Sequence, residues 1–428
     1  MIERPPKDTE MAGYEAAEII FRDDMSEIIA KCEDDYSYWT DVRYKKLPDG
    51  ISNTALWRAI KSYRSMRSMR IWSRYDIHFT MTNAMQRKCH WFDMNFGGSW
   101  ASDSIVPDKD KRTYLISTLM EEAISSSQME GASTTRKIAK DMLRNKKAPN
   151  TKSEQMILNN YNTIQYIAEH KDEPLSRELL LEIHARMTNE TLDNKEDEGR
   201  FRTNDNIVVQ NGITGEVVHT PPPHDDIDYF VEELCYFFNN EGGRLFIHPI
   251  IKGIIIHFVI AYVHPFVDGN GRTARALFYW YMLKNGYWLT QFLSISRIIY
   301  RTKAKYEKVY MQVESDGMDI GYFVKYNLDV LSKAFDELKL YISSKQNERK
   351  ASSAAINIGL NERQSAIIGM YAKDNNLVLS IKDICGRLNI SHPTAKSDVN
   401  ELVQKGLLIQ KRVNKVKSVY IIGNKLSY

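Results

Sequence analysis

Residues 249–284 read PIIKGIIIHFVIAYVHPFVDGNGRTARALFYWYMLK. The stretch Pro249 to Val263 is strongly apolar and predicts a buried helix, and Arg272 to Lys284 predicts a second one. The Gly269-Asn270-Gly271 turn between them therefore falls at a helix N-terminus. Backbone N–H groups without intrahelical partners and the positive end of the helix dipole make such a turn an anion cradle, and its two glycines let phosphate oxygens approach closely. Arg272 and Arg275, three apart on the first turn, are spaced to clamp phosphate oxygens. Asp268 offers a hard oxygen to Mg²⁺, which is ordinarily held by one or two carboxylates plus substrate phosphates. His264 lies just upstream, where a neutral imidazole accepts a hydroxyl proton. The set describes metal-assisted attack by a hydroxyl on a nucleoside triphosphate.

Taken singly, each of these residues has a plainer reading. A lone His is more often structural, a Gly-Asn-Gly turn is often only a turn, and an Arg pair is often a solvated face. Their order and their place at a helix start set them apart. The stretch is not a P-loop, because the GxxxxGK(S/T) lysine and hydroxyl are missing. Zinc is unsupported, since no HExxH occurs and His257 lies inside an apolar helix, where a core role is expected.

The twelve residues His264 to Arg275 resemble the signature of the Fic family of nucleotidyl transferases, HxFx(D/E)GNGRxxR. The helical pattern over residues 110–340 is similar to that family's core. The resemblance implies that His264 is the base that deprotonates a target hydroxyl, that Asp268 holds Mg²⁺, and that Phe266 is a buried anchor. It implies too that Gly269, Asn270, Gly271 and Arg272 bind the α- and β-phosphates of ATP and Arg275 the γ-phosphate. Tyr306 is assigned to the adenine pocket only by its distance beyond the motif. The implied reaction moves AMP from ATP to a Ser, Thr or Tyr hydroxyl of a target protein or of the chain itself. Gly271 stands where the family's kinase-like branch has Lys, which favours adenylylation over phosphorylation.

Two neighbouring segments acquire roles from the same resemblance. Ile207, Val208 and Val209, the turn Gln210 to Gly215, and Val217 to His219 read as a β-hairpin closed by Pro221 to Pro223. It resembles the family's flap, whose backbone pairs with the target, and is preceded by the family-like Gly199-Arg200-Phe201-Arg202. An ornamental surface hairpin is the plainer alternative. Ser125 to Gly131, SSSQMEG, resembles the inhibitory motif (S/T)xxxE(G/N), with Ser126 and Glu130 on one helical face. A carboxylate reaching Arg275 would take the γ-phosphate's place and hold the enzyme idle. The same Glu130 positioned on a water would instead serve removal of AMP from a modified protein, and both readings stand.

Outside the core, Ser343 to Gly359 reads as a linker. Asn361 to Lys373, Ser380 to Leu388 and Ser391 to Lys405 read as helices, followed by strands at Leu407 to Arg412 and Ser418 to Ile422. That order is a winged helix-turn-helix. From Ala351 onward 11 Lys and Arg face 5 Asp and Glu, while the rest of the chain carries 47 against 50. With Lys411, Arg412, Lys415 and Lys417 on the wing, a DNA backbone is one expected partner and another protein the rival. A DNA-binding regulator with a nucleotide-sensing, non-catalytic core is the alternative from another class; retention of His264 and Asp268 speaks against it. Near the N-terminus Lys61, Arg64, Arg67, Arg70 and Arg74 recur every three or four residues and predict a basic helical stripe, read as a solvated face, with a partner or nucleic-acid surface as the alternative.

The 428 residues are 43% hydrophobic and 26% charged, which excludes intrinsic disorder and fits two or three domains. Cys32, Cys89, Cys235 and Cys385 lie far apart, so neither a disulfide framework nor a cysteine zinc site is indicated. Acids near the N-terminus and the charges interrupting the most apolar stretch speak against secretion or membrane insertion, and a cytoplasmic protein is expected. Homodimerisation fits but is unmarked. The expected fold is mainly α, with an N-terminal helical domain at 1–105, a Fic-type core with a β-hairpin flap at 106–345, and a winged helix-turn-helix at 346–428.

Overall fold

The computed structural model describes residues 2–6, 11–96, 108–210, 215, 217–240, 246–357, 359–373, 377–412 and 418–423. The boundary expected near residue 105, with Gly97, Gly98 and Pro107, lies outside them, as do the flap turn at 211–214 and the wing lysines Lys415 and Lys417. The fold is mainly helical, and the chain divides into two units, Met1–Phe335 and Asp336–Tyr428.

The first unit opens with helices α1 (Gly13–Ile20), α2 (Ser26–Asp34), α3 (Trp39–Val42) and α4 (Asn53–Met66). A short antiparallel hairpin, β1 (Met69–Trp72) and β2 (Ile77–Phe79), then precedes α5 (Asn83–Phe96). The helical reading of the first hundred residues missed this hairpin. Its second strand is bridged by Asp319, some 240 positions on, and Trp72, Ile77 and Phe79 are buried. Such distant support is not visible in local periodicity. The basic stripe is likewise corrected: α4 ends at Met66, so Arg67, Arg70 and Arg74 leave the helix. Arg64 is not solvated but 1% exposed, paired with Glu33 at 3.1 Å and lying 4.0 Å over the Tyr36 ring. Lys61 pairs with Asp316 and Asp319 at 2.8 and 3.2 Å. A desolvated guanidinium is tolerable only with such partners.

The helical body follows: α6 (Asp108–Met129), α7 (Arg136–Asn145), α8 (Lys152–Glu169), α9 (Arg177–Thr188), the small hairpin β3 (Val209–Gln210) and β4 (Val217–His219), α10 (Ile227–Asn239), α11 (Pro249–Val263), α12 (Asn270–Lys284), α13 (Ile295–Arg301), α14 (Lys303–Ser315) and α15 (Gly321–Asn357). Thr135, Thr151 and Ser176 cap α7, α8 and α9 by accepting the backbone N–H three residues on. Helix α11, apolar all round, is buried over Ile250–Ile260 and packs along α12 at the centre of the body. Of the hairpin expected from residue 207, only Val209 and Gln210 form the first strand; Ile207 and Val208 precede it.

The expected linker at 343–359 is helical through Asn357, as the end of α15. Lys, Gln, Glu, Arg and Ala are good helix formers, and no Gly or Pro interrupts them before Gly359. The second unit then holds α16 (Glu362–Lys373), α17 (Ile381–Leu388), α18 (His392–Gln404) and the antiparallel pair β5 (Leu408–Arg412) and β6 (Ser418–Ile422). Ser380 and Ser391 cap α17 and α18. Ile367, Tyr371, Ile384, Val399, Leu402 and Tyr420 form its core. Among the described residues no helix is long and apolar enough to cross a membrane.

Candidate active site

The buried pair α11 and α12 delivers one loop to the edge of the helical body. Its first residue, His264, ends α11 in the left-handed conformation, φ 48°, with its N–H still bonded to Ile260 O at 3.0 Å. Phe266, fully buried, is sandwiched between the His184 ring, stacked at 3.7 Å and 3°, and Phe201 at 5.2 Å. The Asn270 side chain turns back on the loop, accepting Phe266 N–H at 3.0 Å and donating to Phe266 O at 2.8 Å. That amide shapes the loop, leaving the residue's backbone to the cradle. Gly269 has φ 80°, and a Cβ there would lie 2.8 Å from Thr188 Cγ2, so both backbone and space demand glycine. Helix α12 starts at Asn270 with no side-chain cap, which leaves its first N–H groups open to an anion.

Both arginines of the motif are buried, Arg272 at 0% and Arg275 at 2% exposure. Arg272 donates to Met187 O at 3.2 Å and lies 3.5 Å from Asp268 Oδ2, but its Nε is buried with no partner. Burial pulls this guanidinium below its ordinary pKa. An orphaned, desolvated donor at a helix N-terminus fits an arriving phosphate oxygen. Asp268 keeps half its side chain exposed. Among the described residues no cluster of three or more His, Cys, Asp or Glu is arranged for a metal. A single half-exposed carboxylate, whose Oδ1 accepts the Gly269 N–H, beside a phosphate cradle fits Mg²⁺ whose other ligands are phosphates and water.

His264 points Nδ1 at Ala261 O. That contact needs a proton on Nδ1, so the neutral ring carries its lone pair on Nε2. Burial, the largest cause, lowers its pKa to about 4, and His219 and Arg202 push the same way against Ala261 O and Glu130. The ring is therefore a neutral base at physiological pH. Arg202, 4% exposed, donates Nε to His264 O at 2.9 Å and Nη1 to Asn204 O at 2.9 Å and Asp205 at 2.7 Å, tying the loop to the start of the flap. At the flap's other end His219 is 2.7 Å from Tyr262 O on α11.

Ser126 and Glu130 reach the same cradle from the end of α6. Arg275 donates Nε to Ser126 Oγ at 2.9 Å, Nη2 to Ser126 O at 3.1 Å, and Nη2 to Glu130 Oε1 at 2.9 Å. Burial raises the Glu130 carboxyl, but Arg275 outweighs it and holds the group below the usual range. A Cβ at Gly271 would collide with Glu130 Oε1 and lie 3.1 Å from Arg275 Nη1. The carboxylate thus rests on the glycine face of the cradle. Tyr306 lies close enough to Arg275 and Glu130 to feel their charge, its hydroxyl is 3.1 Å from both His257 Nε2 and Tyr310 Oη, and its ring stacks on His257.

One residue the sequence reading passed over holds the loop. His184, fully buried on α9, has Nε2 2.9 Å from Asp268 O and accepts Gly199 N–H on Nδ1 at 3.1 Å. Burial lowers its pKa to about 4, so it is a neutral strut. Its signal was a single His on the inward face of α9, beside Leu180, Ile183 and Met187. Glu122, two turns before Glu130 and also passed over, instead bonds Ser294 and Ser296.

Residues 174–282 match the model of the Fic/DOC family. A "Protein adenylyltransferase Fic" of Aedes aegypti is 29% identical over 119 residues, which are 28% of this chain and 22% of that protein. The protein of the same name from Drosophila grimshawi is 27% identical over 118 residues, 28% of this chain and 23% of its own length. The likeness thus spans under a quarter of these relatives. In three dimensions a Fic family protein from Desulfovibrio desulfuricans G20 aligns with TM-score 0.51 at 19% identity, over 81% of this chain and 98% of its own. Fic-1 from C. elegans aligns at 0.50 and 19%, over 75% and 84%. At those identities the likeness is one of fold.

Proposed function

Taking residues 174–282 as a Fic/DOC domain, we propose that the chain is a protein adenylyltransferase held idle by its own Glu130. The observation that carries the reading is the pairing, in one loop, of a neutral base with an anion cradle: His264 with Nε2 free, and the uncapped start of α12 with two buried guanidiniums. In the reaction, His264 Nε2 takes the proton of a Ser, Thr or Tyr hydroxyl. The oxygen attacks the α-phosphorus of ATP, the bond to the β-phosphate oxygen breaks, and pyrophosphate leaves. N–H groups of Gly269, Asn270 and Gly271 with Arg272 hold the α- and β-phosphates, and Arg275 the γ-phosphate. Mg²⁺, held by Asp268 and phosphate oxygens, would offset the charge of the polyphosphate. The flap at Ile207, Val208 and Val209 would pair with the target's backbone and register its hydroxyl.

The brake follows from Glu130 standing on Arg275 and Gly271, where the γ-phosphate belongs. ATP then binds in a pose that misaligns the α-phosphorus. A second reading, removal of AMP from a modified protein, is favoured by one observation: Glu130 also lies within electrostatic reach of His264, where it would orient a water. We assign the second unit as a winged helix-turn-helix. Its α18 exposes His392, Lys396, Ser397 and Asn400 on one side. The test of the main reading is transfer of label from α-labelled ATP to protein. Transfer by Glu130→Gly and none by Glu130→Gly/His264→Ala supports it; equal labelling by both refutes it.

A further inference from the structure

We propose that Glu122 is a positioning residue: a latch that holds α6 in the register at which Glu130 reaches Arg275. The inference rests on the reading of Glu130 as a brake.

Glu122 is 2% exposed. Its Oε2 accepts Ser294 Oγ at 2.9 Å and Ser296 N–H at 3.0 Å, and its Oε1 accepts Ser296 Oγ. A buried carboxylate satisfied by three donors of one short segment fixes distance and angle together. That segment is in turn braced on α12, where Tyr279 Oη donates to Leu293 O at 2.9 Å and accepts Ile295 N–H at 3.0 Å. Tyr279 is one turn beyond Arg275 on the same face of α12. Helix α6 therefore meets α12 at Arg275, through Ser126 and Glu130, and again further back along α6 through Glu122, the serines and Tyr279. The two turns from Glu122 to Glu130 span about 12 Å.

Met120, Ala123 and Ile124 pack against α7 and α8, but the side of α6 that carries Glu122 is looser. A cavity of about 230 Å³ opens beside Glu122, lined on α6 by Leu115, Thr118 and Leu119. The polar links from this stretch to α8 are long: Ser127 Oγ to Met156 O at 3.3 Å and Asn160 Nδ2 to Ala123 O at 3.4 Å. With weak bonds to α8 and a void beside it, this stretch takes its position from its strong polar ties, those of Glu122 and those of Ser126 and Glu130 to Arg275.

The test substitutes Glu122→Gln, which keeps the volume but turns one acceptor into a donor facing Ser296. AMP incorporation from Mg·ATP should rise about tenfold over the native chain, and Ser296→Ala, a milder change, should rise less. In the Glu130→Gly background Glu122→Gln should change nothing, because the latch acts only through the brake. Hydrogen exchange of amides 119–131 in the nucleotide-free protein should quicken in Glu122→Gln, a readout independent of activity. Glu122→Gln and Ser296→Ala as quiet as the native chain beside an active Glu130→Gly would overturn the latch and leave the brake intact. Loss of activity in Glu122→Gln/Glu130→Gly relative to Glu130→Gly would make Glu122 merely structural and also overturn it. A silent Glu130→Gly would sink the brake itself, and unchanged exchange at 119–131 would then decide against the latch separately.

Discussion

Glu130→Gly removes one partner of a partly buried ion pair whose other partner, Arg275, is 2% exposed. For the γ-phosphate to sit on Arg275, Glu130 must first be displaced. Breaking a fully buried pair costs about 3–5 kcal/mol, and here the Glu130 side chain is 26% exposed. Arg275 keeps Ser126 Oγ and O as partners, so the lower end of that range applies. At 1.4 kcal/mol per decade, about 3 kcal/mol leaves roughly one chain in a hundred able to seat ATP productively. Glu130→Gly should therefore transfer AMP about 100-fold faster than the native chain. Most of the gain belongs in kcat, because the cradle still binds ATP in the unproductive pose. The assay is incorporation of α-labelled ATP into protein at saturating nucleotide, with γ-labelled ATP giving no signal. Without nucleotide the variant should also unfold at a lower temperature, and Mg·ATP should restore part of the loss. Transfer within threefold of the native chain, with folding intact, would refute the reasoning.

Other outcomes follow from the same geometry. Gly271→Ala places a methyl group against Glu130 Oε1 and Arg275, so it should lower the unfolding temperature and leave Glu130→Gly/Gly271→Ala silent in the same assay. Because His264 is protonated only near pH 4, the activity of Glu130→Gly should stay level between pH 8 and about 5.5, read as initial rates at saturating ATP. His184 and His257, fully buried, have pKa values lowered by burial to about 4 and about 3, below the ordinary 6.5. Between pH 6.5 and 4 the unfolded chain binds protons the folded one does not, so stability falls with falling pH, by on the order of 3 kcal/mol per group. Urea unfolding at pH 7 and pH 5 checks it, and His184→Gln should flatten part of that dependence. If the second unit holds a DNA backbone, the full chain should be retained on duplex DNA at low salt and released as salt rises. Salt-independent retention, or none, would point to a protein partner.

The helices of the core were legible because each buries one face at the helical period, and α11 because it buries all of them. The loop from His264 to Arg275 was legible because its chemistry is packed into twelve consecutive residues. What escaped depends on partners far away in the chain. The hairpin Met69–Phe79 is supported by Asp319, and Arg64 is carried inward by Glu33 and Tyr36 rather than left in a solvated stripe. His184 bonds to a carbonyl 84 positions on, and Glu122 to serines more than 170 positions on. A periodic pattern says which face is buried but not which polar residue on that face finds a partner. The helical end of α15 was misread for another reason: a polar, small-residue stretch resembles a linker, yet every residue from Ser343 to Asn357 tolerates a helix.

The central claim is that this loop transfers a nucleotidyl group to a protein hydroxyl. Mass spectrometry of Glu130→Gly after incubation with Mg·ATP and lysate tests it most directly. The account predicts an AMP adduct on a Ser, Thr or Tyr of the chain or of another protein, absent with Glu130→Gly/His264→Ala. A phosphate adduct in its place, no adduct at all, or an AMP adduct that survives loss of His264 would contradict it.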